Sequence, residues 1–258
     1  MIDLARKKLF LFDLDGVLTA GKEAPVKLGG TKVIEKIRSK GKKLFVLTND
    51  STDTVETVLA RLQRFDIPVV ESEVLTSARL TAEYVAKRHP GGTYFLVGEH
   101  GLQMELDRVG LRRVWGKKAD AVVVGLDRFL TYSKLDKAGE AVRNGASLVG
   151  CHYARLYAFK GRTAMAVGPI VKAVEYCSGK KAVTIGKPSR PMFELALELA
   201  GCAAEDAVMV GDQEETDVDG ARNMRMQSII VKTGVFSGRE KTKADAVVEN
   251  VDDIANMI

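Results

Sequence analysis

The chain has 258 residues, 46% apolar and 28% charged, with a formal net charge of +5. That balance is ordinary for a soluble globular protein with a substantial core, and no apolar run approaches the roughly 20 residues of a membrane span. The basic residues are scattered (Lys36, Arg38, Lys40, Lys42 and Lys43 among them) with no interleaved aromatics, which argues against a nucleic-acid partner and leaves a mild field that attracts small anions.

Short β-branched runs predict strands at 8–12, 44–48, 94–97, 121–125, 147–150, 183–185, 207–210 and 228–231. Helical patterns lie near 31–40, 54–64, 77–88, 134–143, 169–177, 189–200 and 217–224. The first strand ends in Asp13-Leu14-Asp15-Gly16, and Gly29-Gly30-Thr31 reads as the start of the first helix. The second strand ends in Thr48-Asn49-Asp50-Ser51. The next three strands carry no such polar ends. Then Lys187 follows the strand at 183–185, and Asp212 follows the one at 207–210. Strand alternating with helix predicts an α/β fold, a doubly wound parallel (Rossmann-like) sheet. The polar strand ends assign residues 1–76 and 182–258 to that core, with an inserted α/β unit over 77–181.

Ligands bind beyond the carboxyl ends of strands in such sheets, so four distant segments deliver polar groups to one rim. Asp13, Asp15 and Asp212 offer hard oxygen ligands suited to Mg²⁺, which takes one or two carboxylates plus a substrate phosphate. A cation also offsets the repulsion between adjacent acids. Asp13 is ionised at neutral pH and needs no base to attack phosphorus, and Asp15 is placed to protonate the leaving oxygen and then activate water. Lys187 and the Thr48 hydroxyl, with backbone N–H groups at Leu14, Gly16 and Asn49, would bind the phosphoryl oxygens. Asp217 is expected to orient the metal site from behind.

Taken together, Asp13-x-Asp15-Gly16-Val17, Thr48-Asn49, Lys187-Pro188 and Gly211-Asp212-xxxx-Asp217 resemble the four motifs of the haloacid dehalogenase-like hydrolases. The insertion resembles the type II cap of the NagD and 4-nitrophenyl phosphatase branch, notably at 125–138. From Ser147 to about Asn250 the likeness narrows toward the phospholysine, phosphohistidine and inorganic pyrophosphate phosphatases, through His152-x-Ala154-Arg155-x-Tyr157 and Glu175-Tyr176. The resemblance implies a Mg²⁺-dependent phosphatase acting on a small phosphorylated substrate through an aspartyl-phosphate. It also implies metal ligation by the Asp15 backbone carbonyl and dimerisation through the cap. His152 and Arg155 stand where the family carries its specificity loop, so they are expected to grip the leaving group. Asp50, where the branch often has Asn, adds a negative charge near the phosphate site.

The same chemistry with a second acceptor would make a phosphotransferase or mutase. A receiver-like phosphoacceptor module also uses acids, a Thr and a Lys, but spreads its acids over different strands of a shorter chain. Cys151, Cys177 and Cys202 form no CxxC pair. With no leader-like stretch near residue 2, reduced thiols and a cytoplasmic setting are expected. Trp115 reads as a packing residue.

Overall fold

The structure, a computed structural model, describes residues 2–21, 26–116, 118–159 and 162–258. Its strands are β1 (Leu9–Phe12), β2 (Lys43–Thr48), β3 (Val74–Thr76), β4 (Thr93–Val97), β5 (Arg112–Arg113), β6 (Ala121–Val124), β7 (Ser147–Gly150), β8 (Leu156–Phe159), β9 (Arg162–Met165), β10 (Val183–Thr184), β11 (Ala207–Gly211), β12 (Gln227–Val231) and β13 (Ala246–Val248). The helices are α1 (Thr31–Ser39), α2 (Val55–Gln63), α3 (Ser77–Arg88), α4 (His100–Arg108), α5 (Tyr132–Arg143), α6 (Val167–Ser178), α7 (Arg190–Ala200) and α8 (Asp219–Asn223). A π-helical turn, Glu214–Val218, precedes α8.

Six parallel strands form the core sheet in the order β13-β12-β11-β1-β2-β3, and five more form a second sheet in the order β10-β7-β6-β4-β5. Period-two alternation explains why β1 is apolar throughout. Phe10 and Phe12 face α1 and α2 through Val33, Ile37, Val55 and Val58, while Leu9 and Leu11 face α7 through Met192, Phe193 and Ala196. The second sheet divides likewise: Phe95, Val122 and Val124 pack on α5 and α6, and Tyr94, Leu96 and Val123 join the cluster that contains Leu9 and Leu11. One apolar cluster is therefore shared by the core and the inserted unit.

Four departures from the sequence reading matter. The strand expected at 183–185 pairs with β7 (Val183↔Val149) at the edge of the second sheet, so the chain returns to the core after Ile185 rather than at 182. Helix α4, the short strands β3, β5 and β13, and the antiparallel β8–β9 hairpin were not foreseen. The last predicted helix starts two residues late, at Asp219, because the π-turn occupies its first turn. Trp115 is 70% exposed, with the Arg113 guanidinium 3.9 Å above its ring. No helix among the described residues is long and apolar enough to cross a membrane.

Candidate active site

The carboxyl ends of β1, β2 and β11 converge on one side of the core sheet, at a cavity of about 690 Å³ roofed by the inserted unit. Asp13, Asp15, Gly16, Thr48, Asn49, Lys187 and Asp212 line the cavity, and His152 reaches it from beyond β7. Asp13 continues the central ladder: its N–H donates to Val210 O at 2.8 Å, and so its side chain projects from the sheet's rim.

Lys187 Nζ is the hub. It donates to Asp13 Oδ1 at 2.8 Å and to Asp217 Oδ1 at 2.7 Å, with all three side chains buried. Burial pulls the Lys187 ammonium down, but Asp13 and Asp217 more than offset this, so it stays charged. Asp13 is pushed up to about 7 by burial and by the Asp217 charge, against the pull of Lys187 and of the Leu14 N–H that donates to its Oδ1 at 2.7 Å. Burial and the facing Asp13 and Asp217 charges hold Asp212 well above the carboxylate range. Its Oδ2 accepts the Val235 N–H at 2.7 Å, while its Oδ1 is buried with no hydrogen-bond partner among the described residues.

That orphaned oxygen bears on a metal. Ligand atoms of Asp13, Asp212 and Asp217 lie within 4.8 Å of one another, a donor set of the hard-oxygen kind that suits Mg²⁺. Asp217 is already engaged on both oxygens, by Lys187 and by the N–H groups of Asp212 (3.3 Å) and Gln213 (3.1 Å). It therefore braces Lys187 and the turn at Asp212. A Cβ at Gly16 or Gly234 would lie 2.2 or 2.0 Å from Asp212 Oδ2, and Gly16 also sits at φ 90°. Only glycine leaves Asp212 room there.

Several predicted residues stand differently. The Asp15 carboxylate is absent from the cluster: its Oδ1 faces Arg61 Nη1 at 3.2 Å and accepts from Thr19 Oγ1 at 3.1 Å. Side-chain ligation by Asp15 is therefore not what this geometry offers. The Gly16 N–H is taken by Thr19 O at 2.6 Å, so it serves the turn rather than a phosphate. Arg155 does not line the cavity. It is exposed and pairs with Glu215 across the junction of the two units, so its expected hold on the leaving group is not seen. His152 is buried against the cavity; burial lowers it to about 4, and its Nδ1 accepts the Ala154 N–H at 3.2 Å. It is thus a neutral residue at neutral pH.

The β2–α2 loop is fixed from two sides. Asp50 Oδ1 accepts from the Thr52 N–H (2.7 Å) and hydroxyl (2.8 Å), so its extra charge is spent on the turn. Thr48 Oγ1 accepts the Asp50 N–H at 3.1 Å, and Asn49 Nδ2 donates to Lys187 O at 2.9 Å. From the inserted unit, Leu126 N–H donates to Ser51 Oγ at 2.9 Å, and the buried Glu105 accepts from Val55 N–H at 3.1 Å and Arg79 Nε at 3.0 Å. Among the cavity residues missed from sequence are Leu156, Arg162 and Thr163 of the β8–β9 hairpin. Two short runs flanking Gly161 were the signal that marks such a hairpin.

Comparison with known proteins agrees with this arrangement. Residues 10–112 match the family described as haloacid dehalogenase-like hydrolase, and residues 184–254 match a second description, HAD-hydrolase-like. The chain is 30% identical over 235 residues to the 5'-nucleotidase YutF of Bacillus subtilis, covering 91% of each. It is 34% identical over 236 residues to an acid sugar phosphatase of Staphylococcus saprophyticus, covering 92% of this chain and 90% of the relative. Its fold superposes on the p-nitrophenyl phosphatase from Archaeoglobus fulgidus with a TM-score of 0.89 at 30% identity, covering 98% and 99% of the two chains. The 4-nitrophenylphosphatase from Thermotoga maritima gives 0.88 at 29% identity, with 99% of each covered. With the four sequence motifs gathered on one sheet rim and relatives matched along nearly its whole length, the chain belongs to the haloacid dehalogenase-like hydrolase family.

Proposed function

We propose that the protein is a phosphatase that hydrolyses a small phosphate monoester through an aspartyl-phosphate on Asp13. The observation that carries this reading is the buried cluster of Asp13, Lys187, Asp217 and Asp212 at the floor of a cavity large enough for a small ester. A carboxylate oxygen of Asp13 attacks phosphorus, and the bond to the leaving oxygen breaks as Asp15 supplies its proton. Asp15 then takes a proton from water as that water attacks phosphorus and frees Asp13. Lys187 and Thr48 hold the phosphoryl oxygens during both displacements. Asp13 and Asp212 would hold Mg²⁺, whose charge would neutralise the phosphate and the facing acids. Leu126, Leu156, Tyr157 and Val167 give the roof an apolar surface for the leaving group, and His152 adds one polar contact.

The test is phosphate release from 4-nitrophenyl phosphate with Mg²⁺ and no added acceptor. The parent turns over, Asp13→Asn does not, and chelation stops the reaction reversibly. Turnover by Asp13→Asn would sink the covalent mechanism. Strict dependence on an acceptor would favour the phosphotransferase reading, and full activity after rigorous chelation would remove the metal.

A further inference from the structure

Helix α2 buries Val55, Val58 and Leu62 against the core sheet, and Arg61 lies among them, 9% exposed. The helical period calls for an apolar side chain on that face, and a methionine would fill it without the cost of taking a guanidinium out of water. None of the three guanidinium nitrogens has a hydrogen-bond partner among the described residues. It makes an ionic contact with Asp15, Nη1 to Oδ1 at 3.2 Å, near enough for an ion pair but not aligned as a hydrogen bond. The same Oδ1 accepts from the fully buried Thr19 hydroxyl. The rest of the Asp15 side chain, 40% exposed, borders the cavity.

We propose that Arg61 is a positioning residue for Asp15, a reading that rests on Asp15 being the acid and base of the proposed reaction. The main chain turns sharply after Asp15, so nothing in a strand fixes its rotamer. An acid must come within about 2.6–3.2 Å of the leaving oxygen to give up its proton. A displacement of about 1 Å can cost roughly a hundredfold in rate. Arg61 anchors the carboxylate from behind by charge, and its lack of a directional hydrogen bond lets Asp15 pivot toward an arriving oxygen. Thr19 supplies a directional constraint.

The experiment compares two substrates with Mg²⁺ present: 4-nitrophenyl phosphate, whose leaving group departs unprotonated, and glycerol 2-phosphate, whose alkoxide must be protonated. Arg61→Met should lower kcat on the alkyl ester about 10- to 100-fold, with a several-fold smaller loss on the aryl ester and KM within about twofold on both. Arg61→Lys should recover most of the alkyl activity, and Thr19→Val should show the same split more weakly. In an Asp15→Asn background, Arg61→Met should add less than about threefold, since the two act as a unit. Equal losses on both esters would make Arg61 structural and overturn the proposal. So would an Asp15→Asn variant that shows the split while Arg61→Met and Thr19→Val do not. If Asp15→Asn itself shows no split, the acid–base reading fails and takes this inference with it. Should Arg61→Met not fold, Arg61→Lys and Thr19→Val decide, and absence of the split in Thr19→Val then overturns the proposal.

Discussion

Asp212→Asn should make the metal-free protein more stable while destroying its response to Mg²⁺. Asp13, Asp212 and Asp217 face one ammonium, Lys187, which leaves a formal charge of −2 in a buried cluster. Asp212 Oδ1 has no partner there, and an unsatisfied buried acceptor costs about 1–3 kcal/mol, more when charged. Asparagine can keep the Val235 N–H bond through its amide oxygen and place its NH₂ where Oδ1 now faces other acids. The variant should gain about 1–3 kcal/mol in EDTA, or roughly 2–12 °C in Tm for a chain of this size. The parent, at a Mg²⁺ concentration of about a hundred times Kd, should gain about 2.7 kcal/mol, and the variant close to nothing. Calorimetric melts of both proteins with EDTA and with Mg²⁺ should therefore show the variant's lead close or reverse. An Asp212→Asn protein that melts at or below the parent in EDTA, or that responds to Mg²⁺ like the parent, would refute the reasoning.

In EDTA the parent's Tm should fall between about pH 6.5 and pH 7.5, above the range in which His152, lowered to about 4 from an ordinary 6.5, pulls stability the opposite way. Asp13 has a folded-state value near 7 against an ordinary 3.8, so its contribution is greatest below the unfolded value and is lost as pH rises through the folded one. A flat profile over that window would contradict this. Gly16→Ala should abolish turnover, because its Cβ would fall 2.2 Å from Asp212 Oδ2 at a φ of 90°; phosphate release measures it. His152→Ala should lower kcat/KM for the preferred substrate by about tenfold or more, whereas Arg155→Ala should stay within about twofold, since only His152 lines the cavity. Glu105→Ala, which strips the buried Val55 N–H and Arg79 of their partner, should cost about 3–5 kcal/mol by urea denaturation.

The sequence was most legible where an apolar strand stops abruptly at a polar residue. Asp13, Thr48 and Asp212 were placed on one rim because a buried parallel strand has only one end at which to present them, and Lys187 meets them there although its preceding strand belongs to the other sheet. Side-chain direction was harder to read. Asp13 and Asp15, two residues apart, would point the same way in a strand, but the chain leaves the sheet after Asp13 and turns at Gly16, so the carboxylates diverge. Strand β10 was assigned to the wrong sheet because two half-exposed residues carry no pattern that names a neighbour. Helix α4 was missed although Leu102 and Leu106 repeat at helical spacing, since its low hydropathy and a buried Glu105 masked the apolar face. Arg155 was placed in the right loop, but a long exposed side chain settles on whatever acid stands nearby, here Glu215.

The position of β1 between β2 and β11 has a consequence for how the chain is made. By the time Thr76 has emerged, β1, β2 and β3 can pair, yet the far edge of β1 must wait for β11, which ends 135 residues later at Gly211. At about 5–20 residues per second, that edge, wholly apolar, stays open for on the order of ten seconds. Unpaired apolar edges are templates for aggregation, so ribosome-bound chains halted before β11 should be captured by chaperones, and chains halted after β12 should not. A pull-down of stalled chains would show it. The ladder that closes this edge is the one in which Asp13 N–H meets Val210 O, so the proposed nucleophile is set in place in that step. On this order the proposed reaction must wait for the same step that seals the sheet's most vulnerable edge.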